Sequence, residues 1–160
     1  GMKGSKDLGD ADIRKDFPGG WAADRHTAFC SSEDVKCHGY QTGRTPEEEA
    51  YFQFTKTLLN WRKNNKVIHE GKLMQFVPEN NVYVYARYTE PNEMYDIAGR
   101  KVVLVVINNS TKDETIRWDR FQEIINGKEG GVDVITHQTV NFDQKTAVIP
   151  AKTAYILELK

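Results

Sequence analysis

After Val67 the apolar period changes to two, and turn-forming residues break the pattern every few positions. A chain written this way buries one face of each short strand, and seven or eight such strands specify an antiparallel β-sandwich rather than a helical fold. Lys72–Val77 and Val82–Tyr88 read as a hairpin around Pro78-Glu79-Asn80-Asn81. Lys101–Asn108 is a mostly apolar strand, and Thr115–Trp118 a short alternating one. Val132–Thr136, Thr139–Phe142, Thr146–Ile149 and Ala154–Leu159 complete the set, and Phe121–Ile125 suits a helical turn. No internal repeat or low-complexity tract interrupts the series.

Two regions precede the strands. Residues 45–65 carry the signals of one long α-helix. Thr45 is an N-cap, Pro46 sits at the first helical position, and Glu48 completes a capping box. Glu47, Glu48 and Glu49 oppose the positive end of the helix dipole, and Arg62, Lys63 and Lys66 oppose the negative end. Tyr51, Phe54, Leu58 and Trp61 or Arg62 fall at helical spacing, Phe52 and Leu59 widen the stripe, and Asn64-Asn65 is the expected stop. Residues 1–44 have few periodic apolar positions and include Pro18-Gly19-Gly20, so an irregular arm is expected there. Loops longer than about 12–15 residues are uncommon inside a compact domain and tend to be functional or displaced.

Composition narrows the function classes. The 160 residues include 39% hydrophobic, 11% aromatic and 28% charged residues, with a net charge of -1. That balance argues against a nucleic-acid partner, which calls for clustered Lys and Arg. No apolar run approaches the roughly 20 residues that span a bilayer, so no membrane partner is expected. Gly1 ahead of Met2 reads as the scar of a tag, and no signal peptide is visible in the polar start.

The segment Asp10-Ala11-Asp12-Ile13-Arg14-Lys15-Asp16-Phe17-Pro18-Gly19-Gly20-Trp21 resembles the loop after the eighth barrel strand of alpha-amylase-superfamily enzymes. Two further matches follow in order. Gly43-Arg44-Thr45-Pro46-Glu47-Glu48 leads into Leu58-Leu59-Asn60-Trp61-Arg62-Lys63. Val67-Ile68-His69-Glu70-Gly71-Lys72-Leu73 then precedes Asn81-Val82-Tyr83-Val84-Tyr85. Together they resemble the last barrel helix and C-terminal sandwich of neopullulanases and cyclomaltodextrinases, especially those of Bacteroidetes. The resemblance implies that residues 1–66 are the end of a (β/α)₈ barrel, with an arm at 1–44 and a helix at 45–65, and that residues 67–160 are the C-terminal sandwich. It implies a parent glycosidase that hydrolyses α-1,4-glucosidic bonds in starch, pullulan or cyclodextrins, with a periplasmic or extracellular location favoured. Retaining glycosidases use two carboxylates about 5–5.5 Å apart. In this family these and a third, stabilising carboxylate lie on earlier barrel strands, so no catalytic residue and no cofactor is expected here.

The resemblance also supplies candidate substrate-binding residues. Asp10 and Arg14 match an Asp-x-x-x-Arg pair that contacts a donor-side sugar in related enzymes, although Ala11 stands where those enzymes usually have Pro. A carboxylate and a guanidinium can clamp adjacent hydroxyls by charge-assisted hydrogen bonds. Trp21 beside Pro18-Gly19-Gly20 can stack on a glucose face or pack under the loop, and Phe17 suits packing. Cys30 and Cys37, with His26 and His38 nearby, suit a local disulfide or two free thiols better than zinc, because the spacing differs from that of structural zinc motifs. Tyr83, Tyr85 and Arg87 alternate with Val82, Val84 and Ala86. That face suits a core or barrel interface better than a starch-binding surface. His69 and His137 stand alone, and Asn109-Ser110-Thr111 is a chance match to a glycosylation sequon.

Two functions remain in view: an accessory domain of a glycosidase, and an independent carbohydrate-binding module. The partners expected are an α-glucan in the intact parent, the missing barrel, and a second copy associating through the helix and arm. The last follows from Tyr51, Phe52, Phe54, Leu58, Leu59 and Trp61, which offer more apolar surface than one contact stripe needs.

Overall fold

Alternation dictates the strands, and the computed structural model shows where they go. It describes residues 5–10, 46–90 and 99–160. The chain divides into two compact units, Gly1–Thr57 and Leu58–Lys160.

Among the described residues of the second unit there are eight strands: β1 (Lys72–Gln75), β2 (Val82–Tyr88), β3 (Val102–Asn108), β4 (Glu114–Arg117), β5 (Gly130–Asp133), β6 (Thr139–Asn141), β7 (Thr146–Ile149) and β8 (Thr153–Leu159). Six of them form an antiparallel sheet in the order β1-β2-β3-β8-β5-β6, and β4 and β7 form a second, two-stranded sheet. This is the antiparallel sandwich that the period-two pattern predicts.

Register fixes which side chains share a face. Ala86 pairs with Leu104, Leu104 with Leu157, and Val84 with Val106. These residues are buried with Val82 and Val102 against Ile116 and Ile149 of the small sheet. A 3-10 turn, Trp118–Phe121, runs into the four-residue helix α3 (Gln122–Ile125), and it adds Trp118, Phe121, Ile124 and Ile125 to the same core. The turn and helix fall where the sequence suits a helical turn. Strand β3 is buried on both faces over most of its length, which explains its almost unbroken apolar run.

Turn chemistry is equally local. Asn80 and Asn81 both take positive φ, 50 and 61°, and Glu79 and Val82 exchange backbone hydrogen bonds of 3.2 and 2.8 Å. That is a two-residue hairpin of the primed kind, which needs φ > 0 at both centres and therefore favours Asn. Arg120 holds the hairpin in place, donating to the Val77 carbonyl at 3.1 Å and pairing with Glu79 at 2.8 Å.

The long helix α1 runs from Pro46 to Asn64, close to the expected span. The N-cap Thr45 lies outside the described residues. Of its apolar stripe, Leu58 and Trp61 are half-buried, while Tyr51 and Phe54 are exposed. In the first unit the other described element is a 3-10 turn, Lys6–Leu8, capped by Ser5 and closed at Gly9.

The structure departs from the expected elements at two places. The chain does not turn extended at Val67: a five-residue helix, α2 (Lys66–Glu70), follows α1 at once. Asn65 caps it, its side chain accepting from the Val67 N–H at 3.0 Å, and so overrides the β-preference of Val67 and Ile68. The second departure is β5, which begins at Gly130 and ends at Asp133, whereas the expected strand covers Val132–Thr136. Asp133 turns the chain, accepting from the backbone N–H and hydroxyl of Thr136 at 2.8 Å each.

Gly71 joins α2 to β1 where nothing larger fits. A Cβ there would lie 2.3 Å from the Val67 carbonyl oxygen and 2.8 Å from that of Tyr88. Both obstacles are backbone, so relief requires moving the helix or the strand. Gly71→Ala is expected to destabilise the fold by about 1–3 kcal/mol, the usual range for overpacking. Urea unfolding, followed by circular dichroism, checks this through a lowered midpoint at unchanged slope.

Candidate functional site

Of the three substrate-contact candidates, Asp10 falls among the described residues. It follows Gly9, whose φ is 92°, and is exposed. Arg14 and Trp21 lie outside the described residues, as do Phe17, His26, Cys30, Cys37 and His38.

The second unit presents a site of its own on the face of the six-stranded sheet that points away from the sandwich core. Period two puts Leu73, Gln75, Tyr83, Tyr85, Arg87, Val103, Val105, Ile156 and Glu158 there. The end of α1 and the whole of α2 cover part of that face. Val67, Val103 and Val105 form its buried centre, with Trp61, Ile68, Tyr85, Ile107 and Ile156 packed around them.

Polar contacts hold the helices at both ends of one cross-strand row. At one end, the Trp61 indole N–H and the Asn65 amide both donate to Glu158 Oε1, at 2.7 and 2.8 Å. Asn65 thus uses one side-chain atom to cap α2 and another to bind β8. At the other end, Arg87 Nη2 donates to the Ile68 carbonyl at 3.0 Å. That carbonyl belongs to the last turn of α2, where oxygens lack intrahelical partners and a cation also suits the dipole. Arg87 pairs across the ladder with Val103, and Val103 with Glu158, so the row aligns both contacts.

Beside these contacts the helices and sheet leave a cleft of about 520 Å³, lined in part by Trp61, Arg62, Ile68, His69, Leu73, Tyr85 and Arg87. Arg62 and His69 are exposed at its edge, and Tyr85 and Arg87 are half-buried. Arg87 Nε is buried without a hydrogen-bond partner. Burial, followed by the neighbouring Tyr83, pushes the Tyr85 hydroxyl above the ordinary tyrosine pKa. The two rings lie 5.5 Å apart and are inclined by 30°. Tyr83 donates to Gln75 Oε1 at 2.7 Å. A larger cleft of about 840 Å³ also borders Trp61 and includes Arg100, Lys101 and Glu158.

Tyr83, Tyr85 and Arg87 were legible in the sequence as one strand face. Glu158, Asn65 and Trp61 were not legible as a set. The signal for Glu158 is an acid between the inward-facing Leu157 and Leu159 on the last strand, but nothing local names its partners.

An eight-stranded antiparallel sandwich with a helix-covered outer face defines a β-sandwich domain. The more particular assignment comes from the sequence family: the model of the cyclo-malto-dextrinase C-terminal domain matches residues 73–158, more than half of the 160 residues. The chain belongs to that family, and with it to the alpha-amylase-type glycosidases. The match begins at Leu73 in β1 and ends at Glu158 in β8, so it takes in every strand of both sheets except the end residues Lys72 and Leu159.

Proposed function

We propose that this chain supplies the non-catalytic C-terminal end of a glycoside hydrolase of the neopullulanase or cyclomaltodextrinase type, similar to those of Bacteroidetes. The parent hydrolyses α-1,4-glucosidic bonds in starch, pullulan or cyclodextrins. In the proposed division, residues 1–66 belong to the end of the barrel and residues 67–160 to the sandwich. Asp10, Arg14 and Trp21 contact sugar in the assembled active site, and the sandwich steadies the barrel.

The observation that carries this reading is the family match across the whole sandwich. The outer face adds support: Tyr85 and Arg87 pack against and anchor α2, as expected for a domain that seats the preceding helix. The remaining exposed apolar residues, Tyr51, Phe54, Leu59 and Leu73 among them, suit an interface with the barrel or with a second copy.

Retaining hydrolysis needs a nucleophile and an acid on opposite sides of the bond, and in this reading both reside in the barrel. The isolated chain, incubated with maltoheptaose, pullulan and cyclodextrins, is expected to release no reducing ends above a blank. Hydrolysis that co-purifies with the chain through successive columns would overturn the division of labour.

A further inference from the structure

We propose that the free edge of β1 is a self-association site: β1 pairs antiparallel with β1 of a second copy of this chain about a two-fold axis at Met74, and the two six-stranded sheets join into one.

Strand β1 ends the sheet, with β2 as its neighbour on one side. The direction of its backbone groups follows from the register. The Phe76 N–H donates to the Val84 carbonyl at 3.1 Å, and this continues the pairing in which Met74 opposes Ala86 and Lys72 opposes Tyr88. Lys72, Met74 and Phe76 therefore bond towards β2, and the N–H and C=O groups of Leu73 and Gln75 point out of the sheet. A row of such groups is a template for another strand, and proteins blunt it with charge, proline or a cover. The charges near this edge are committed elsewhere. Lys72 pairs with Glu90 at 2.9 Å, and Arg120 is tied to the Val77 carbonyl and to Glu79. Leu73 is 50% exposed and Val77 78%, so the edge displays apolar side chains without a cover. The opposite edge of the sheet, β6, has three residues and exposes the polar Thr139 and Asn141.

The register also selects the occupant. A two-fold axis at Met74 sets Leu73 opposite Gln75 of the second copy, and Gln75 opposite Leu73 of the second copy. Both residues point outward, so each pairing exchanges N–H and C=O in both directions. The two Leu73 side chains become diagonal neighbours on the outer face, within reach of each other. The contact is isologous, so one surface supplies both halves. The edge is also ordered before it binds. Its hairpin turn is fixed at Asn80-Asn81, and the Tyr83 hydroxyl donates to Gln75 Oε1 at 2.7 Å. A free peptide loses its chain entropy on adding to an edge, whereas a second copy brings a strand already in place.

The test is sedimentation velocity of the full chain over about 10 µM to 1 mM, which brackets a Kd on the order of 0.1 mM for a small interface. A monomer–dimer equilibrium is expected. At the upper end, hydrogen exchange is expected to slow at the Leu73 and Gln75 amides and not at Met74, which already bonds to β2. Leu73→Lys changes an exposed residue and sets like charges across the axis. It is expected to raise the Kd at least about tenfold, with thermal unfolding unchanged. Gln75→Pro removes one outward N–H, which an edge strand tolerates, and is expected to weaken the dimer likewise. Thr139→Lys on the opposite edge is expected to leave it unchanged. A chain monomeric throughout, or one that associates equally well as Leu73→Lys, would overturn the proposal. Association lost in Tyr51→Lys/Phe54→Lys and kept in Leu73→Lys would move the contact to α1 and overturn it too. So would slowed exchange at Leu73 and Gln75 on adding a peptide of the sequence Lys72–Val77, with no response to the concentration of the chain itself.

Discussion

Phe121→Ala is expected to lose about 3–5 kcal/mol of folding stability, the usual cost of deleting a buried aromatic ring. Phe121 is fully buried at the junction of the 3-10 turn and α3. Its ring meets Phe76 edge-on at 4.9 Å and Trp118 at 6.3 Å. Truncation leaves a cavity between the two sheets, where strands tied by hydrogen-bonded ladders cannot easily collapse inward. A domain of this size is stable by only about 5–15 kcal/mol, so the variant should unfold at a much lower urea concentration. A shift equivalent to less than about 1 kcal/mol would show that the turn is not part of the central packing.

Asp133→Ala is expected to cost about 3 kcal/mol through a different mechanism. Asp133 is buried, at 1% exposure. One oxygen accepts from the Ile156 N–H at 2.8 Å, where β5 ends alongside β8. The other accepts from the Thr136 N–H and hydroxyl and shapes the turn into β6. Alanine leaves the backbone donors without those acceptors, at about 1–3 kcal/mol for each that stays buried. Asp133→Asn retains one carbonyl acceptor and should lose less. Comparing the two variants by urea unfolding separates the hydrogen-bond effect from packing, since equal losses would show that acceptor chemistry is not what matters at this site.

Asp133 also marks the limit of what could be read from the sequence. The strands with clean alternation, Val82–Tyr88 above all, were legible because one face of each is buried and the other is not. The Asn80-Asn81 turn was legible because positive φ at two successive residues leaves few residue choices. The start of β5 is not legible, because Gly130 and Gly131 look like loop residues. Paired with β6 and β8, they stand where a larger residue does not fit: a Cβ on Gly130 would meet the Val140 carbonyl oxygen. The α2 helix is not legible because Val67 and Ile68 favour strands, whereas capping by Asn65 and closure at Gly71 decide the matter.

The site divides in the same way. An alternating strand announces that Tyr83, Tyr85 and Arg87 share a face. It does not announce that Trp61 and Glu158, 97 residues apart, form a hydrogen bond, because such a pairing follows from the topology rather than from any local signal. The family resemblance was legible for a different reason: it depends on the order of several short segments, and the sandwich that those segments predict is the part matched by the family model.

The most direct test of the assignment is the activity of the protein encoded by the longest natural reading frame that contains this chain, purified and assayed on cyclodextrins, pullulan and maltoheptaose. The expected result is hydrolysis of α-1,4-glucosidic bonds, abolished by substituting carboxylates upstream of residue 1 and retained when Asp and Glu residues of the sandwich are replaced. A full-length protein inert on all three substrates, or one whose activity depends on a carboxylate within residues 67–160, would contradict it.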